Sequence, residues 1–170
     1  VTEADNAVCI GYNAGTAMTT GGNNTIIGSQ AGESLTSGGS NMFIGRQAGD
    51  GHDTENHNIG IGRDALGGPI NGGEYNVAVG NDALEPLTGS NNLMIGMNAG
   101  DGFDTEGNNV GIGTNALGGS IAGGEYNVAM GNLSLENLTS GDSNTTLGVA
   151  AARNITTGSN NTALGYNCMG

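Results

Sequence analysis

One unit recurs through the whole chain: a glycine with an asparagine four residues before it and a small residue three after it. The ten glycines are Gly11, Gly28, Gly45, Gly62, Gly80, Gly96, Gly113, Gly131, Gly148 and Gly165, at spacings of 17, 17, 17, 18, 16, 17, 18, 17 and 17 residues. A unit this short buries too little apolar surface to fold alone, so each copy has to stack on its neighbours. Stacking brings equivalent positions into columns along the array, and each column states what its position demands.

Four before the glycine stand Asn24, Asn41, Asn58, Asn76, Asn92, Asn109, Asn127, Asn144 and Asn161, and only Ala7 breaks the series. Stacked amides can donate to one coil and accept from another, the ladder logic of cross-β assemblies. The position one before the glycine is never polar, running from Ile10 and Ile27 to Leu147 and Leu164. Three before it, eight of ten residues are β-branched, Met42 and Leu93 being the exceptions. This period-2 pattern predicts a short strand with those two columns facing the interior. The column between them would then point outward. Its apolar members Ile26, Phe43, Ala78, Met94, Ala129 and Ala163 form an expected stripe of the kind that marks an interface between subunits.

Three after the glycine only small residues occur, seven after it lies a looser apolar column (Met18, Leu35, Leu87, Phe103, Leu138, Ile155), and Gly-Gly and Thr-Gly-Ser segments turn the chain back. In that looser column His52, Pro69 and Ser120 interrupt, with Ile70 and Ile121 following at once in the last two. Residues 44–90 resemble 95–141 at an offset of three coils, a duplication of a larger block. The fold expected is all-β: a parallel β-solenoid or β-roll of ten coils, one domain over residues 1–170, about 48 Å long at the usual strand spacing. Subunits packed side by side through that stripe are the expected assembly.

Composition narrows the partners. Glycine supplies 35 of 170 residues, but not every third position, so collagen is excluded. Sixteen acids against three arginines and no lysine give a net charge of −13. Such a surface repels phosphate, which disfavours nucleic acid and anionic membranes, and no run is long and apolar enough for a membrane span. A Lys-free acidic chain suits an extracellular, cell-surface or virion setting, and a start at Val1 is expected of a processed product or a piece of something longer. Cys9 and Cys168 lie in the first and last copies. Nine coil steps put them roughly 43 Å apart, too far for a bond within one chain. Both are expected to be small buried hydrophobes, a bond between subunits being the alternative.

Candidate sites are few. Five after the glycine, Glu33 stacks on Asp50 and Glu85 on Asp101, with Asp53 and Asp104 nearby. A solvated acidic face is the first reading. A Ca²⁺ site built from these six carboxylates is the second, since the ion would turn both repulsions into attractions. His52 falls in an apolar column whose counterpart one block later is Phe103, and His57 in a turn, so both are expected to be structural. Gly60-Ile61-Gly62 is one copy of the repeat and not a dinucleotide loop. Stacked Arg46 and Arg63 are expected to be solvated or paired with nearby acids. Asn-x-Thr/Ser sequons occur as often as an Asn/Thr-rich chain dictates. No catalytic residue and no cofactor follow from these motifs, and an enzyme is not expected.

The segments Thr88-Gly89-Ser90-Asn91-Asn92-Leu93-Met94-Ile95-Gly96 and Thr157-Gly158-Ser159-Asn160-Asn161-Thr162-Ala163-Leu164-Gly165-Tyr166-Asn167 resemble a repeat of phage tail-fibre-type proteins that carry an endosialidase-type intramolecular chaperone. More distantly, the Val-Ala-Val-Gly and Val-Ala-Met-Gly cores are similar to the head repeats of trimeric autotransporter adhesins. The resemblance covers essentially the whole chain and implies a homotrimer of parallel β-rolls acting in surface attachment. Two features depart from it: the coils are longer than the adhesin repeat, and neither a chaperone domain nor a coiled-coil stalk is present. The expected function is a rigid structural or adhesive fibre segment. A rival is a filament subunit stacking head to tail, since Gly165 to Gly11 of a following copy would span 5 + 11 = 16 residues, within the spacings above. A glycan-binding or polysaccharide-processing β-helix is a lesser alternative.

Overall fold

The computed structural model describes residues 6–68, 72–85, 89–102, 105–119 and 123–170. Ten three-residue strands follow one another: β1 (Val8–Ile10), β2 (Thr25–Ile27), β3 (Met42–Ile44), β4 (Ile59–Ile61), β5 (Val77–Val79), β6 (Leu93–Ile95), β7 (Val110–Ile112), β8 (Val128–Met130), β9 (Thr145–Leu147) and β10 (Thr162–Leu164). They form one parallel sheet in sequence order, a β-solenoid of about nine turns. The register never shifts: Cys9 sits on Ile26, Ile26 on Phe43, Phe43 on Gly60. No helix occurs among the described residues.

The recurring glycine is the hinge of each coil. At φ values of 124–145° it occupies a region closed to other residues. A Cβ on Gly28 would lie 2.1 Å from the carbonyl oxygen of Gly45, and Gly45 stands in the same relation to Gly62. Beyond it the turn alternates in sign, with left-handed residues such as Gln30 (φ 60°) and Gly32 (φ 51°). That alternation aims successive peptide groups to opposite sides of the coil. Gln30 N–H donates back to Tyr12 O at 2.7 Å, and Gly32 N–H donates forward to Ala48 O at 2.9 Å. The turn therefore continues the inter-coil ladder that the strand begins.

The strand faces the opposite way from the sequence expectation. Its middle residue points inward: Ile26, Phe43, Ala78, Met94 and Ala129 are fully buried and Ala163 nearly so. The flanking columns point outward. The six residues expected to meet a neighbouring subunit are thus the solenoid's own core and are closed to any partner.

The reason lies in how narrow the interior is. Each coil feeds it from the strand's middle residue and from the residue four after the glycine, and the two vary inversely in size. Phe43 is matched by Gly49, Gly60 by Leu66, Met94 by Gly100, Gly111 by Leu117 and Ala129 by Leu135. Added Cβ atoms show the complementarity: one on Gly49 would sit 2.5 Å from the Phe43 ring, and one on Gly100 2.9 Å from Met94 Cγ. The small column of Ala31, Ala48, Ala65, Ala83, Ala99 and Ala116 closes the core, with Met18, Leu35 and Leu138 beyond it. Of the other candidates for that outer column, Ile155 packs partly buried against the core, and Pro69, Ile70, Leu87, Phe103, Ser120 and Ile121 lie outside the described residues. Cys9 and Cys168, both expected to be buried, are exposed and half-buried.

The asparagine column from Asn24 to Asn144 is buried, and each side chain clips one coil to the next. Asn58 Oδ1 accepts the backbone N–H of Asn76 at 2.9 Å, and its Nδ2 donates to Gly73 O at 2.8 Å. The same pair of bonds recurs from Asn24, to Asn41 N–H and Gly38 O. Amide-to-amide contacts, such as Asn144 Nδ2 to Asn127 Oδ1 at 3.0 Å, are added only in some coils. The column is mainly a side-chain-to-backbone clamp.

Candidate functional site

The inverted strand leaves two ladders on the outside of the sheet, one apolar apart from three threonines and one apolar throughout. One runs Val8, Thr25, Met42, Ile59, Val77, Leu93, Val110, Val128, Thr145, Thr162; the other runs Ile10, Ile27, Ile44, Ile61, Val79, Ile95, Ile112, Met130, Leu147, Leu164. Exposure is 47% at Val8, 58% at Ile10 and 37% at Ile95, and reaches 71% at Leu164. Neighbours in the ladder shield the rest partly. Ten strands at the usual spacing and two columns give a patch on the order of 400 Å², within the range of the largest apolar patch on a typical single-chain protein. Tyr12, Met97, Val149 and Tyr166 extend it along one edge and remain exposed.

No protein-family model, curated protein or solved structure matches this chain.

The carboxylates proposed as Ca²⁺ ligands are arranged otherwise. Among the described residues no three His, Cys, Asp or Glu side chains converge on a point. Glu33 instead accepts from the Asn13 and Gln30 amides, each at 3.0 Å, and Asp53 accepts from the Thr36 hydroxyl and lies in the exposed turn. Asp50 accepts the Gly68 N–H at 3.1 Å. Asp104 lies outside the described residues. Burial, then the carboxylates of Asp64, Asp82, Asp101 and Asp50, push the Glu85 carboxyl above its ordinary value, and burial with Asp82 does the same for Asp101. The stacking of Glu85 and Asp101 expected from the repeat is thus a mutual repulsion. Arg63 pairs with two neighbouring carboxylates, Asp64 at 2.6 Å and Asp82 at 2.7 Å. Arg153 pairs with Glu136 one coil away at 2.5 Å.

Two buried carboxylates escaped the sequence reading. Glu55 replaces a glycine of the turn and folds inward, accepting N–H donors from Asp53 at 2.7 Å, Thr54 at 3.0 Å and Gly72 at 3.0 Å. These bonds, together with His52, outweigh burial and hold its carboxyl below the ordinary value. Glu106, its counterpart one block later, accepts from Gly123 N–H at 2.5 Å. Their shared position before the 18-residue coils was the available signal.

His52 fills its apolar slot completely, packing its ring 4.8 Å from that of Phe43. Neither ring nitrogen has a hydrogen-bond partner. Burial lowers its pKa to about 4, only partly opposed by the Glu55 charge. The folded state therefore favours the neutral ring, and the stability tied to it is complete above the unfolded value of 6.5. It declines as pH falls from 6.5 towards 4, by about 3 kcal/mol in all. His52→Phe, which copies the residue found one block later at Phe103, is expected to abolish that loss. The difference in melting temperature between the variant and the parent should grow between pH 6.5 and 4 and stay flat above 7. A constant difference would show that His52 does not titrate in this window on unfolding. His57 is exposed and stacks on Tyr75, centroids 4.9 Å apart.

Proposed function

We propose that the chain is a rigid structural segment of an extracellular, cell-surface or virion fibre, packing the outer face of its sheet against copies of itself as a homotrimer. One observation carries this reading: the ladder from Ile10 to Leu164 is apolar over all ten strands and its companion is interrupted only by three threonines, while the acidic residues are confined to the turns. An uncovered face of that kind costs free energy in water, and a second copy presents the same complementary strip. The net charge of −13 with no lysine supports a surface setting in which the acidic turns keep the particles apart. The likeness of the repeats to tail-fibre and adhesin-head sequences points the same way, as does the absence of a cavity among the described residues. Surface attachment, including glycan recognition, would then be a property of the exposed turns.

The test places charge on the outer face. Ile61→Glu combined with Ile95→Glu leaves the solenoid intact, since both side chains point to solvent, but buries unpaired carboxylates in any face-to-face assembly. Several kcal/mol of desolvation should weaken association at least about 100-fold. Sedimentation velocity on parent and variant reads this directly. An unchanged particle in the variant would mean that some other surface holds the copies together.

A further inference from the structure

Among the described residues two buried side-chain atoms lack a hydrogen-bond partner, and both are ring nitrogens of His52. The ring is fully buried against Phe43, in the column that holds Met18, Leu35 and Leu138. A neutral imidazole gives up its hydrogen bonds to water to sit there, and an imidazolium would give up far more. Packing alone does not call for a histidine, since the sequence has Phe103 at the equivalent position one block later.

Three residues on, in the same turn, stands the charge that bears on the ring. Glu55 is itself buried, and its carboxylate ties the turn together and to the next coil. Oε2 accepts the N–H groups of Asp53 and Thr54, and Oε1 accepts the Gly72 N–H at 3.0 Å. The other acids nearby are engaged elsewhere. Glu33 on the coil before accepts from the Asn13 and Gln30 amides, Asp50 from the Gly68 N–H and Asp53 from the Thr36 hydroxyl. Asp64 on the coil after pairs with Arg63. A proton acceptor without a partner thus lies beside a buried carboxylate whose bond to Gly72 crosses the seam between two coils.

We propose that His52 and Glu55 form an acid-operated latch: protonated His52 leaves the core, Glu55 goes with it and releases the Gly72 N–H, and the solenoid opens locally between its third and fourth coils. The proton comes from water. Hydration of the new charge drives the ring out, and an ion pair with Glu55 forms once it is out. Glu55 is ready to make that pair, because its backbone donors and His52 hold its carboxyl below the ordinary value and keep it charged. Opening stays local because the other contacts across this seam do not titrate. Asn41 Oδ1 still accepts the Asn58 N–H, and β3 still pairs with β4 from Met42 to Ile44. The linkage has the matching sign. The closed latch holds the ring neutral, so its contribution is complete above pH 6.5 and is lost as pH falls towards 4. The latch lies in the turns, away from the outer ladders, so it stands independently of the lateral assembly proposed above.

Amide hydrogen exchange of the whole chain, resolved by residue with NMR at pH 7.5 and 5.0, tests this. Protection factors remove the intrinsic dependence of exchange on pH. The Gly72 and Asp53 amides should lose protection about 25-fold at the lower pH, the change that linkage gives for a ring moving from its closed to its open pKa. Gly123 N–H donates to Glu106 in the block without the histidine, so it is the control within the molecule and should change little. His52→Phe should abolish the loss at Gly72. His52→Leu, which copies Leu35 and Leu138, repeats the comparison with a smaller side chain. Three results would overturn the proposal: full protection of Gly72 at pH 5.0, an equal loss at Gly123, or an acid response that survives in both His52 variants.

Discussion

Gly49→Leu is expected to destabilise the solenoid by about 3 kcal/mol, and adding Phe43→Gly to recover at least about 2 kcal/mol of that loss. Even the first added carbon would press into the Phe43 ring, at 2.5–2.6 Å from three of its atoms. Backbone conformation is not the obstacle, because Leu66, Leu84, Leu117 and Leu135 hold φ values of 50–54° at the equivalent position. What forbids leucine at Gly49 is the volume already taken by Phe43. The double variant converts this coil to the Gly60 and Leu66 arrangement of the next one, with the large residue moved from strand to turn. Urea unfolding of the four chains of the cycle measures the coupling. Costs that simply add would mean that the two columns do not share one space.

Asn58→Leu is expected to cost about 4 kcal/mol. It deprives two backbone groups of their partners, the N–H of Asn76 and the carbonyl of Gly73, in a place where water does not reach. A buried orphan of this type costs about 1–3 kcal/mol, and the leucine must also fit a slot shaped for an amide. Asn161→Leu supplies the control within the same molecule. Among the described residues Asn161 makes one side-chain bond, to Asn144 Oδ1 at 2.9 Å. Its loss should cost about 1 kcal/mol in the separate chain. Equal costs at the two positions would show that burial of the clamp, and not its bonds, is what matters.

These two sites mark what the sequence makes legible. The period, the strand position, its parallel order and the asparagine column all follow from the spacing, because stacking forces equivalent residues into contact. The facing of the strand does not follow from apolarity. The outer column from Ile27 to Ile112 is more uniformly apolar than the core column, which sets Phe43 beside Gly60 and, five strands on, holds Thr146. A thin interior demands that each coil's total volume be right, not that every position be large. The inverse sizes of Phe43 and Gly49, or of Gly111 and Leu117, carried that information, but only when two columns are read together. The candidate face moved with the strand, from Ile26 and Met94 to Ile27 and Ile95. The left-handed column before the asparagines was less legible still, since Tyr75 and Tyr126 adopt φ near 60° beside asparagines and serines that do so more readily. The shared position of Glu55 and Glu106 before the 18-residue coils singles them out, but that Glu55 turns inward depends on donors from its own turn and from Gly72 one coil on.

The central claim is that the outer face of the sheet is covered by other copies of the chain. Light scattering coupled to size exclusion, in reductant so that no disulfide contributes, tests it most directly. The account predicts a discrete particle of three times the 16.7 kDa chain mass. A particle of one chain mass, stable in dilute solution with its ten-strand ladders open to water, would contradict it.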